Sequence, residues 1–263
     1  MIHVPLRRCG GACGTVLWVI AWLIALAPCE ARDLATIKAT GVLLLATEGA
    51  TPPFNYFDKG QLTGFDIDLG AALASRLGVR PQWTAAAFET LLIGLEQDRY
   101  DLVVMDQAIT PARASVVNFS DPYLCSGGVI VTLSGGPRRR QDLAGRIVGV
   151  QVGTTYLESV RNIPGIRDVK TYPKDTDALQ NLLARRTDAW ISDKLTAGYL
   201  AQSNPHLQLQ IGEQLFTEHD GIAVAKKNES LRLAVNRALA ALAADGTMHS
   251  LAMKRFGQDA GCD

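Results

Sequence analysis

Apolar runs of strand length recur along this sequence, each followed by a stretch of helical periodicity. Val42-Leu43-Leu44-Leu45-Ala46 is the first. Leu102-Val103-Val104-Met105, Val129-Ile130-Val131, Ile147-Val148-Gly149-Val150, Ala189-Trp190-Ile191 and Gly221-Ile222-Ala223-Val224-Ala225 follow. A run that is apolar throughout, rather than alternating, suits a strand covered on both faces. Between the first two, Leu69, Ala72, Leu73, Arg76 and Leu77 fall at helical spacing, with Gly78 placed to end the helix and Pro81 beyond it. Residues 91–95, 178–184, 231–243 and 248–256 read as further helices. Strand and helix in alternation predict an α/β fold with mostly parallel sheets. The polar run Ser134-Gly135-Gly136-Pro137-Arg138-Arg139-Arg140 reads as a surface loop, after which the scheme repeats on a new core.

The N-terminus has a different character. Arg7 and Arg8 precede an apolar run over residues 16–27, and small residues follow at Cys29 and Ala31. The run is shorter than the ~20 residues that span a bilayer. Basic flank, short apolar core and small residues together predict a secretory signal peptide over residues 1–31. A membrane anchor is the competing reading. Within it, Leu26-Ala27-Pro28-Cys29 faintly resembles a lipid-attachment box, although proline replaces the usual small residue before the cysteine. The expected location is therefore periplasmic, with a lipid tether as the alternative.

The whole chain carries 26 basic and 26 acidic residues, which gives no field able to hold nucleic acid. Removal of the leader leaves two of the five cysteines, Cys125 and Cys262. In an oxidising compartment these either pair or stay as two free thiols. No CxxC or Cys/His spacing survives, and the four histidines are scattered, so neither a metal site nor a cofactor is expected.

Ligands on α/β sheets bind beyond the carboxyl ends of the strands. The loops after Ala46, Met105, Val150 and Ile191 are accordingly the places to look. Arg113, just past Met105, could grip a carboxylate with two parallel hydrogen bonds, against the alternative of a solvated surface group. Gly153-Thr154-Thr155 offers amides and hydroxyls at a helix start, either an anion seat or an ordinary cap. Asp193 suits an ammonium, or again a cap. One cation, one amide nest and one carboxylate form a complementary set for a zwitterion.

Several segments, in order, resemble the family 3 bacterial solute-binding proteins. They are Gly64-Phe65-Asp66-Ile67-Asp68-Leu69, Ile109-Thr110-Pro111-Ala112-Arg113, Asn118-Phe119-Ser120-Asp121-Pro122-Tyr123, the stretch from Val148 to Thr155, Asp188-Ala189-Trp190-Ile191-Ser192-Asp193, and Ala244-Asp245-Gly246-Thr247. The resemblance implies a two-lobed, type II periplasmic-binding fold with two crossover strands. The lobes are expected at 33–131 plus 225–263 and at 132–224. It implies that Arg113, Thr154 and Thr155 take a ligand's α-carboxylate, and that Asp193 takes its α-ammonium. Glu48, Phe88 and Gln151 would touch its side chain.

There are departures from the pattern. Thr51 lies where many relatives carry an aromatic, and Asp106 and Ala108 lie where many have small hydroxyl residues or glycine. Asp66 and Asp68 read as helix-start structure rather than a catalytic pair. With Glu48, Asp106 and Asp193 facing one guanidinium, the expected ligand is a basic amino acid. The resemblance implies a monomeric receptor that hands this ligand to an ABC-type permease. Two other readings stand beside it: an enzyme on the same fold, similar to cyclohexadienyl dehydratase with Asp106 or Glu48 as acid, and a periplasmic accessory or sensory module.

Overall fold

The computed structural model describes residues 32–262; the expected leader and its cleavage point lie outside the described residues. The strand Val42–Thr47 shows why its run is apolar throughout. Leu43 and Leu45 enter one core, with Phe65, Leu69 and Leu73 of the helix Phe65–Leu77. Leu44 and Ala46 face the other way, against Phe88, Leu91 and Leu95 of the helix Phe88–Glu96. Successive side chains of a strand point to opposite faces, so a layer of helices on each side requires an apolar residue at every position.

That strand pairs in parallel with Arg80–Ala85 on one side and Leu102–Val103 on the other. The sheet then continues through Ala223–Ala225 to Val117–Phe119, and both pairings of Ala223–Ala225 are antiparallel. The second sheet has the same plan. Ile147–Gln151 pairs in parallel with Asp168–Tyr172 and Ala189–Asp193. Gly128–Thr132 pairs antiparallel with Ala189–Asp193 and with Gln210–Gln214. Val148, Val150 and Ile191 fill one of its faces and Trp190, Val129 and Val131 the other. The α/β alternation is as the sequence predicts. Each sheet, however, is half antiparallel, because the strand that enters from the other half of the molecule runs against its neighbours.

The expected division at 131/132 and 224/225 needs correction on this point. Gly128–Thr132 hydrogen-bonds within the second sheet, so the chain changes sheet before residue 128. Ala223–Ala225 lies inside the first sheet, so the return precedes residue 223. Between them sits a two-stranded antiparallel ribbon, Leu124–Ser126 against Glu218–Asp220, through which both passages run.

The C-terminal tail is fastened to this ribbon. Cys125 and Cys262 form a disulfide, and the Cys125 amide donates to Ala260 O at 3.0 Å. His219, the cross-strand partner of Cys125, completes a trio whose ligand atoms lie within 4.8 Å of one another. The two sulfurs are bonded together, which leaves no thiolate to hold a metal. No helix among the described residues is long and apolar enough to cross a membrane.

Candidate functional site

Arg113 is positioned by a short helix that the sequence encodes plainly. Pro111 opens Pro111–Val116, and the Thr110 hydroxyl caps it by accepting from the Arg113 amide at 3.2 Å. The guanidinium reaches back over the strand ends. It donates to Ala108 O at 2.9 Å and, across to the other half, to Gly153 O at 3.2 Å. The Gln107 amide oxygen, turned toward it, accepts from Nη1 and Nε at 3.0 and 2.9 Å. Its carbon lies 5.5 Å from the centre of the Phe88 ring. Burial pulls its pKa below the ordinary arginine value, and the Glu218 carboxylate opposes that shift.

Asp193 ends the strand Ala189–Asp193 and caps the helix Lys194–Ser203. Oδ1 accepts from the Leu195 and Thr196 amides at 2.7 and 3.2 Å, and Oδ2 from the Ser126 hydroxyl and the Gly127 amide. Gly127 is required there. Its φ is +149°, and a Cβ would lie 2.1 Å from the Phe216 carbonyl oxygen. Burial pushes the Asp193 carboxyl up, against these four donors.

Arg113 and Asp193 line a single cavity with Thr51, Phe88, Asp106, Ala108, Gln151, Thr154 and Thr155, which brings together nine of the ten expected ligand-binding residues. The tenth, Glu48, lines a neighbouring cleft beside Phe57 and Lys174. Its carboxylate accepts from the Thr51 hydroxyl at 2.9 Å and from Gln151 Nε2 at 2.6 Å, linking the two halves. Thr154 acts as a helix cap, accepting from the Leu157 amide and donating to Gln151 O. The Thr155 hydroxyl donates to Glu218 at 2.7 Å, so an internal carboxylate sits at the expected anion seat. The aromatic face of Phe88 lies under Arg113.

The sequence reading overlooked Met105, Tyr156, Asp175, Ser192 and Glu218, which line the same cavity. Asp220, fully buried, lies close behind. Glu218 and Asp220 could have been noticed, because acids two apart at the start of an apolar strand point to one face. Asp175 is held by Trp190 Nε1 at 2.8 Å and Ser192 Oγ at 2.6 Å.

The site is therefore strongly acidic. Glu48, Asp66 and Asp175 are each pushed up to about 7, chiefly by burial. Asp106 and Asp220 are raised well above the ordinary value, by burial and then by neighbouring carboxylates. A carboxyl whose pKa is higher folded than unfolded holds its proton more tightly in the native state. Its stabilising contribution is complete below the unfolded value and is lost as pH rises through the folded one. We expect the melting temperature of the ligand-free protein to fall between about pH 5 and about pH 7.5. A fluorimetric pH series that is flat or rising over this range would contradict it.

Comparison with known proteins agrees with this geometry. L-cystine-binding protein TcyJ of Escherichia coli K12 is 36% identical over 231 residues, covering 86% of each chain. An ancestral arginine-binding protein solved with bound arginine superposes with a TM-score of 0.79 at 35% identity, over 82% of this chain and 99% of that one. An ancestral amino acid-binding protein described as a precursor of cyclohexadienyl dehydratase gives 0.80 at 31% identity, over 85% and 99%. The family model for bacterial extracellular solute-binding proteins, family 3, matches residues 43–258. With the matched stretch running through both sheets and every residue of the cavity, the chain belongs to the bacterial extracellular solute-binding proteins, family 3.

Proposed function

We propose that this protein is a periplasmic, monomeric receptor that closes around one amino acid, with basic amino acids favoured, and presents the closed form to an ABC-type permease. The observation that carries the reading is the charge of the cavity. Four lining carboxylates, Asp106, Asp175, Asp193 and Glu218, face the single guanidinium of Arg113. A bare carboxylate away from water is unfavourable, and a cation is the ligand group that relieves it. Arg113 would take the α-carboxylate in place of its present carbonyl partners, and Asp193 the α-ammonium. The relatives named for cystine and for arginine bind amino acids, which supports the class of ligand.

Closure follows from where the groups come from. Arg113 and Asp106 belong to the half built on the first sheet, and Asp193, Thr154 and Thr155 to the half built on the second. A ligand touching both favours the closed member of an open–closed equilibrium by its differential contacts. We read the site as one for binding rather than chemistry: Glu48, one of the two acids considered for a dehydratase, is spent on Thr51 and Gln151.

A thermal-shift screen of the protein against the amino acids tests this. A ligand at a hundred times its dissociation constant adds about 2.7 kcal/mol of stability. Arginine, lysine or ornithine should raise the melting temperature most. Stabilisation by glutamate or small neutral amino acids, with none by the bases, would overturn the preference. No response to any amino acid would overturn the function.

A further inference from the structure

Two carboxylates beneath the cavity have no partner that the binding of a simple zwitterion would use. Asp106 lines the cavity, is 8% exposed, and has a buried Oδ1 without a hydrogen bond. Its backbone stands at φ +28°, outside the conformations a non-glycine residue ordinarily takes. Asp220 is 0% exposed, and neither of its oxygens is hydrogen-bonded to a donor. A bridge between Ala108 and Asp220 and the bond from Gly221 N to Gln107 O lock their two segments side by side. In this antiparallel pairing residues 106 and 220 fall on the same face, so the two buried carboxyls are neighbours, and both are raised well above the ordinary value by burial and then by neighbouring carboxylates. Two neighbouring carboxylates away from water cannot both ionise freely, and the pair holds a proton.

The surroundings add negative charge. Asp66, on the helix Phe65–Leu77, accepts from Asn55 Nδ2 at 2.8 Å and lies near the pair, as does the buried Tyr123 hydroxyl. Asp193 and the buried Tyr156 face it from the other half, and Glu218 from the ribbon strand that also carries Asp220. Arg113 is the one guanidinium among these groups, and it is already bonded to the Ala108 and Gly153 carbonyls and to the Gln107 amide oxygen.

We infer that Asp106 and Asp220 form a proton-exchange subsite: the pair keeps a shared proton in the ligand-free protein and surrenders it to solvent when a ligand of net positive charge enters the cavity. This rests on the reading of the protein as an amino-acid receptor and specifies how that receptor tells basic ligands from neutral ones. A net cation replaces the charge of the departing proton. A neutral zwitterion does not, and leaves the proton in place. Selectivity for basic amino acids thus rises with pH, by up to about tenfold per unit for one proton exchanged.

The test is isothermal calorimetry of the full chain with arginine and with citrulline, its neutral near-isostere, in buffers of different ionisation enthalpy. Arginine binding should release a substantial fraction of one proton, and its affinity should climb several-fold from about pH 5.5 to about pH 7. Citrulline should show neither effect. Asp220→Asn should abolish the release and narrow the preference for arginine over citrulline. Proton release that is absent with arginine, equal with citrulline, or undiminished in Asp220→Asn overturns the inference, and the wild-type titrations decide it even if the variant does not fold. Binding of arginine without release leaves the receptor function standing. No heat with any amino acid removes both.

Discussion

Arg113→Ala is expected to weaken amino-acid binding at least about a hundredfold. A guanidinium that meets a carboxylate with two charge-assisted hydrogen bonds contributes about 1.5–3 kcal/mol for each, and a loss of about 3 kcal/mol exceeds a hundredfold in dissociation constant. Arg113→Lys should recover only part of the loss, because an ammonium cannot reproduce the planar fork. The ligand-free fold should tolerate the change. The residue sits on a six-residue helix that contributes no side chain to either core, and its partners are carbonyl and amide oxygens rather than a buried charge. Calorimetry decides between this and a structural role. Wild-type affinity in the alanine variant would exclude Arg113 as the ligand's clamp, and a collapse in melting temperature would make it a structural residue.

Loss of the disulfide should be the largest single blow to stability. Cys125 and Cys262 are 137 residues apart, so their bond removes a very large set of conformations from the unfolded chain. Bonds of this kind contribute about 2–5 kcal/mol. For a domain of this size that corresponds to a fall in melting temperature on the order of 5–15 °C. The double change Cys125→Ser with Cys262→Ser, or reduction of the native protein, should show it. Mass spectrometry of the unreduced protein provides the prior check. Two thiols open to alkylation would mean that the bond does not form, and no stability should then be lost in the double variant.

The parts of this molecule that were legible in advance are those whose information is local. A short run apolar at every position, bounded by turn residues, suits a strand covered on both sides, and Val42–Thr47 is one. Arg113 was singled out from its place just past a strand end; the short helix Pro111–Val116 that carries it, opened by Thr110-Pro111, was an equally local signal that went unread. The sheet assignment of Val129-Ile130-Val131 was not local. A buried central strand has the same composition in either sheet, and only its pairing with Ala189–Asp193 reveals where it lies. The acids Glu218 and Asp220 were missed for a related reason. They join Asp106 and Asp193 only because the return passage of the chain runs directly beneath the cavity. Glu48 was expected to touch the ligand's side chain; it lines the neighbouring cleft instead, where Gln151 and Thr51 hold its carboxylate.

The strand Ala223–Ala225 lies between Leu102–Val103 and Val117–Phe119, and this makes the two sheets unequal in what they need. All five strands of the second sheet fall between residues 128 and 214, so that sheet takes no strand from either end of the chain. The first sheet does. Without residues 223–225, Leu102–Val103 presents an open edge and Val117–Phe119 has no neighbour within the sheet. An open edge of buried, apolar residues is a template for pairing with another chain, so a truncation before residue 223 should expose the first half to misassembly while sparing the second sheet. The core of that half also draws on the helices Glu229–Ala244 and Thr247–Phe256. The middle of the chain is thus self-sufficient in its sheet, whereas its two ends depend on each other.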